Sequence, residues 1–170
     1  MSNIGVGFRL ALLEEGKRRS LYTIRFDGSS KTEFEKWVDN PAINSHKEFQ
    51  EMYAIILSLP DEDIPPDYFF KQESYERHGY VCPLRKRGYA ELRIYCMRPD
   101  HREWVVLGNG CVKDQGGSLH NTDACGTAFD EIEYVDDVVW DRISTDRAPF
   151  LDSYTDCLHG NFDFDDKPLY

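Results

Sequence analysis

Residues 80–107 read YVCPLRKRGYAELRIYCMRPDHREWVVL. Over this stretch the residues alternate with period two, the spacing of a β-strand. Tyr80, Cys82 and Leu84 alternate with Val81, Pro83 and Arg85, and Lys86-Arg87-Gly88 makes a turn. Ala90, Leu92, Ile94 and Cys96 then share one face, while Tyr89, Glu91, Arg93, Tyr95 and Met97 share the other. Arg98-Pro99-Asp100-His101 supplies a second turn before Trp104-Val105-Val106-Leu107 opens another strand. The pattern predicts a meander of three antiparallel strands with one apolar face and one charged face.

Upstream, residues 4–13 (IGVGFRLALL) are apolar without a period and close at Gly16, which suits a strand or a short helix. Residues 21–26 (LYTIRF) are β-branched and aromatic and stop at Asp27-Gly28, so they read as a strand. Ser30-Lys31-Thr32-Glu33 and Ser45-His46-Lys47-Glu48 both have the form of a capping box. Phe34, Trp37 and Val38 follow the first at helical spacing, with Asn40-Pro41 as the stop. Phe49, Met52, Tyr53, Ile56 and Leu59 follow the second and stop at Pro60. Downstream, Phe129, Ile132, Val135, Val139 and Ile143 form the stripe of a helix from about Thr122 to Ile143. The expected order is β-α-α-β-β-β-α, an α+β fold with a three- to four-stranded antiparallel sheet. Residues 1–20 read as an N-terminal extension, 21–145 as the domain and 146–170 as an acidic tail.

The 170 residues carry 20 basic and 31 acidic side chains, a net charge of −11. The charge is unevenly placed: −4 over residues 1–70, +4 over 71–113 and −11 over 114–170. A basic middle segment therefore precedes an acidic C-terminal third, and the overall acidity does not exclude an anionic partner. No apolar run reaches the roughly 20 residues of a membrane-spanning helix, and the first twenty residues lack a cleavable signal pattern, so a cytoplasmic location is expected. The five cysteines (Cys82, Cys96, Cys111, Cys125 and Cys157) include no C-x-x-C pair, and buried thiols in a reducing compartment are expected. A zinc site drawn from Cys111, His120, Cys125 and His159 lacks paired short spacing, so no metal and no other cofactor is expected. Neither G-x-S-x-G nor H-E-x-x-H occurs, and Gly108-Asn109-Gly110 lacks the lysine-serine ending of a phosphate loop.

From about Tyr22 to Ile143 the chain resembles the RelE/HigB group of bacterial type II toxins, within the RelE/ParE superfamily. The likeness is sharpest over residues 83–117, PLRKRGYAELRIYCMRPDHREWVVLGNGCVKDQGG. The family tends to show a basic strand and turn, a strand of YRL-Y type with an arginine, and VVLLHGFVKK before its last helix. Pro83 to Gly88, Ala90 to Cys96 with Arg93, and Val105 to Lys113 stand in those places here. The resemblance implies the toxin component of a toxin–antitoxin system, a metal-independent endoribonuclease that cuts translated mRNA and inhibits translation. It implies a cognate antitoxin and the ribosome with its mRNA as partners, no membrane, and room for oligomerisation.

Cleavage by the RNA's own 2′-hydroxyl needs proton acceptors and donors, and cations for the charge that builds at phosphorus. The resemblance makes Arg93 the phosphate-contacting residue, Lys113 the basic position before the last helix, and Arg85, Lys86 and Arg87 the basic strand and turn. Tyr95, on the Arg93 face, is placed to stack on a base. Glu91, His101 and His120 are the proton-exchanging candidates, with His120 preferred by its position after the last strand. The same scaffold also suits a non-catalytic protein-interaction module or a ParE-like gyrase inhibitor. Lys113-Asp114 replaces the family's paired lysines. The acidic-aromatic tail, residues 161–166 (NFDFDD), is expected to fold over the basic sheet face as a phosphate mimic.

Overall fold

The computed structural model describes residues 2–62, 81–85, 90–97, 104–113, 123–145, 150–151, 158–159 and 162–164. Eight strands and four helices occur among them: β1 (Phe8–Glu15), β2 (Ser20–Phe26), α1 (Glu33–Asp39), α2 (Pro41–Asn44), α3 (Phe49–Ser58), β3 (Val81–Leu84), β4 (Leu92–Met97), β5 (Trp104–Val112), α4 (Asp123–Ser144), β6 (Phe150–Leu151), β7 (Leu158–His159) and β8 (Asp163–Phe164). Six strands form one sheet in the order β3-β4-β5-β2-β1-β8, and β6 pairs with β7 separately. The expected meander is present as β3-β4-β5. The sheet is nevertheless larger than expected, and mixed, because β5 also runs parallel to β2. The apolar N-terminal stretch is β1, which pairs with β2 along its whole length.

Alternation decides which side chains meet which layer. Leu92, Ile94 and Cys96 of β4 pack with Trp37, Ile43, Phe49, Met52 and Ile56 of α1–α3. Tyr95 and Met97, on the other face, pack with Phe129, Ile132, Val135 and Val139 of α4. All six residues of β4 are therefore buried. The charged, solvated sheet face suggested by Glu91, Arg93 and Tyr95 does not form, because the stripe of α4 needs an apolar surface and Tyr95 and Met97 provide it. Each fully buried large side chain contributes about 1.5–3 kcal/mol, so two-sided coverage is strongly favoured.

Both expected capping boxes form differently. Thr32, not Ser30, caps α1, its hydroxyl accepting the Glu35 N–H at 3.1 Å. Asn40 ends α1 and also caps α2, where Pro41 takes the first turn. Ser45 follows α2 and donates its hydroxyl to the Pro41 carbonyl at 2.6 Å. Glu48 precedes α3 without a capping hydrogen bond from its side chain. Gly108-Asn109-Gly110 lies within β5 where the β4–β5 register slips between Ile94 and Cys96. A Cβ at Gly110 would collide with the Arg93 carbonyl, so only glycine lets the two backbones approach.

The described residues 163 and 164 of the tail dock away from the basic strands. Among its described residues, Asp163 and Phe164 pair with Arg9 and Phe8, and so cover the β1 edge of the sheet, four strands from β4. Phe164 stacks on Phe8 with centroids 4.8 Å apart, and the Arg142 guanidinium lies over its ring at 4.2 Å. A mask over the basic face is not what these residues form, because their aromatic rings complete the core beside β1.

Two of the expected thiols are joined instead: Cys111 at the end of β5 and Cys125 in the first turn of α4 form a disulfide. The paper zinc site thereby loses two of its ligands. Cys82 and Cys96 are buried thiols on paired strands, with sulfurs 3.8 Å apart. No helix among the described residues is long and apolar enough to cross a membrane. The Cys111–Cys125 bridge closes a loop with a sequence separation of 14, worth about 3 kcal/mol by restriction of the unfolded chain. The double variant Cys111→Ala/Cys125→Ala should lose about that much in urea titration, and reductant should lower the melting temperature of the wild type but not of the variant. Identical melting with and without reductant would contradict the bridge.

Candidate functional site

Strand pairing gathers four of the sequence-predicted residues at one end of the meander. Leu84 pairs with Ile94, so Arg85 leaves β3 beside Arg93. Arg93 pairs with Cys111, and the Lys113 N–H donates to the Glu91 carbonyl at 2.8 Å. Arg85, Glu91 and Lys113 are half-buried there, and Arg93 is buried at 7 % exposure. The Trp37 indole N–H donates to the Arg93 carbonyl at 3.0 Å, which fixes this end of β4 against α1. Glu91 turns toward the α2–α3 connection: its N–H donates to Glu48 Oε2 at 3.2 Å and its carboxylate lies 3.7 Å from His46 Nε2.

Tyr95 is not brought to this surface. It is fully buried, edge-on to Phe129 at 5.7 Å, with its hydroxyl 3.9 Å from Cys111 Sγ, and so cannot stack on a base. The reason is its phase: two residues beyond Arg93, it falls under the centre of α4. Lys86, Arg87, His101 and His120 lie outside the described residues.

A second feature carries no motif. A cleft of about 350 Å³ opens between α1, the bulge of β5 and α4, lined by Asn3, Glu33, Lys36, Asn40, Asn109 and Glu131 among others. Glu33 is 2 % exposed and pairs with Lys36 at 2.7 Å, one turn along α1. Glu131 of α4 is 7 % exposed and accepts the Asn3 N–H at 2.9 Å. Burial raises the Glu131 carboxyl above its ordinary value of 4.5; the Asn3 N–H opposes this, the Glu33 charge adds to it, and Lys36 opposes it again. Sequence reasoning missed both carboxylates. Glu33 reads in the sequence as part of a cap, and Glu131 sits among the acidic residues of α4 with only its place beside the Phe129–Ile132 stripe to mark it.

No protein-family model matches the chain, and neither a characterised protein nor a solved structure does.

The raised Glu131 carboxyl has a consequence for stability. The folded state holds this proton more tightly than the unfolded chain, so the associated stability is full below about pH 4.5 and falls as pH rises through the elevated value. Glu131→Gln should therefore be more stable than wild type at pH 7 and equal to it near pH 4, read as urea midpoints. A wild-type advantage at pH 7 would contradict this.

Proposed function

We propose that this chain acts on RNA as the toxin component of a bacterial toxin–antitoxin pair, with the Arg85–Arg93–Lys113 end of the meander as its phosphate-binding surface. One observation carries the reading: strand register places three cations, remote in sequence, at one end of one sheet. The element order from β2 to α4 also follows the order expected of a RelE-like scaffold, a strand and helices, an antiparallel meander and a last helix. Guanidinium groups suit the paired oxygens of a phosphodiester, and a lysine beside them adds a point charge for the developing phosphorane. Glu91 stands at the same end, its carboxylate turned toward His46. A cognate antitoxin would be needed to keep such a surface quiet, and the basic segment is its natural target.

A second reading locates the activity in the Glu33–Lys36–Glu131 cleft, as proton exchange on a small polar ligand. The juxtaposition of an ion-paired carboxylate with a carboxyl that burial pushes above its ordinary value favours it.

Induced expression separates the two. Wild type should arrest growth and leave cleaved messenger RNA; Lys113→Ala and Arg93→Ala should each lower cleavage about 100-fold or more, the usual cost of removing one transition-state cation, with circular dichroism confirming the fold. Glu131→Gln should arrest growth like wild type. Arrest that survives both cation changes but is lost in Glu131→Gln would move the activity to the cleft. Arrest with intact messenger RNA and stalled gyrase–DNA complexes would move it to gyrase, and no arrest at all would favour an interaction module.

A further inference from the structure

Three side chains from separate parts of the chain converge where the helical layer meets the start of β4. His46 lies in the connection between α2 and α3, Glu48 is the residue before α3, and Glu91 immediately precedes β4. One donor atom from each lies within 4.8 Å of the other two. Glu48 Oε2 is 3.8 Å from His46 Nδ1, and Glu91 Oε2 is 3.7 Å from His46 Nε2, so the imidazole stands between two carboxylates. The Glu48 N–H donates to His46 Nδ1 at 3.1 Å and holds the ring there.

The Glu48 carboxylate is the telling group. It is 6 % exposed, and Oε2 accepts the Glu91 N–H, yet Oε1 is fully buried with no hydrogen-bond partner among the described residues. A buried carboxylate oxygen without a partner costs free energy that an N–H, a water or a cation would recover. With the imidazole neutral, the cluster carries two negative charges in a half-enclosed place. With one ligand atom from each residue, the three lie within 4.8 Å of one another, so a small inward shift of the side chains would bring them to the roughly 2.0–2.2 Å at which zinc holds nitrogen and carboxylate oxygen.

We propose that His46, Glu48 and Glu91 form a binding site for a first-row divalent cation, with zinc as the ion of best fit. One ring nitrogen and one oxygen from each carboxylate supply three ligands, and at least one position stays open to water. Binding exchanges the Glu48 N–H bond at Nδ1, or the proton on the other ring nitrogen, for the ion. The imidazole favours zinc over magnesium and calcium, which prefer all-oxygen sites. The ion would also join the α2–α3 connection to β4. This inference does not depend on the RNA-directed reading, since it is tested on the isolated protein without nucleic acid.

The test is calorimetric titration of the chelator-stripped full chain with zinc chloride, paired with thermal melting. One zinc per chain and a higher melting temperature are expected, with magnesium chloride bound at least about tenfold more weakly. His46→Ala should weaken zinc binding at least about 100-fold, the upper end of what even an outer-shell partner contributes. The His46 side chain is 13 % exposed, so circular dichroism checks the fold of this variant, and Glu91→Gln, at a more exposed side chain, provides a second variant with the same expectation. Absence of stoichiometric zinc binding, or equal affinity in both variants and wild type, would overturn the proposal.

Discussion

The β5–β2 pairing holds the molecule together, because it joins the meander to the N-terminal hairpin, and β5 carries it on the meander side. Strand β5 runs antiparallel to β4 and parallel to β2. A single buried hydroxyl reinforces the junction: Thr23 of β2 donates to the Leu107 carbonyl at 2.9 Å and accepts the Phe34 N–H of α1 at 3.1 Å. Trp104 and Val106 feed the core beneath α4, while Val105 and Leu107 feed the core beneath α1–α3. Without β5 the N-terminal hairpin and the meander would be two small sheets, each too small to bury both faces.

That constraint explains where charge can stand. Strands covered on both faces, as β4 and β5 are, leave charged groups to their ends, to the connections and to clefts between layers. Arg85, Glu91, Arg93 and Lys113 accordingly sit at one end of the meander, and Glu33, Lys36 and Glu131 line the cleft beside the β5 bulge. Gly110 serves both arrangements, since the close backbone approach it permits brings the Arg93 end of β4 next to the cleft wall.

Much of this was legible in the sequence. Period-two alternation marked β3, β4 and β5, and the apolar stripe marked α4 nearly to the residue. What alternation cannot supply is the number of layers: Glu91 and Arg93 made the second face of β4 look solvated, although Tyr95 and Met97 were equally consistent with a second core. The parallel pairing of β2 with β5 links residues over eighty positions apart, and no local pattern encodes it. The Cys111–Cys125 bridge escaped for the same reason, as an odd cysteine count leaves the pairing open. The two capping-box glutamates are instructive. Their spacing was right for a cap, yet Glu33 is drawn to Lys36 one turn along its own helix and Glu48 to the Glu91 N–H across the fold, because the helix ends already have a neighbouring hydroxyl or ring nitrogen to accept their donors.

The central claim is that β4 and β5 are enclosed between two helical layers, which restricts any working surface to their ends. Native-state hydrogen–deuterium exchange resolved by segment tests it directly. Residues 92–97 and 104–112 should exchange slowest of all, at the rate of global unfolding, together with the 128–139 stretch of α4. Rapid exchange along β4 while α1–α3 and β2 stay protected would mean that the α4 face is open, and would contradict the account.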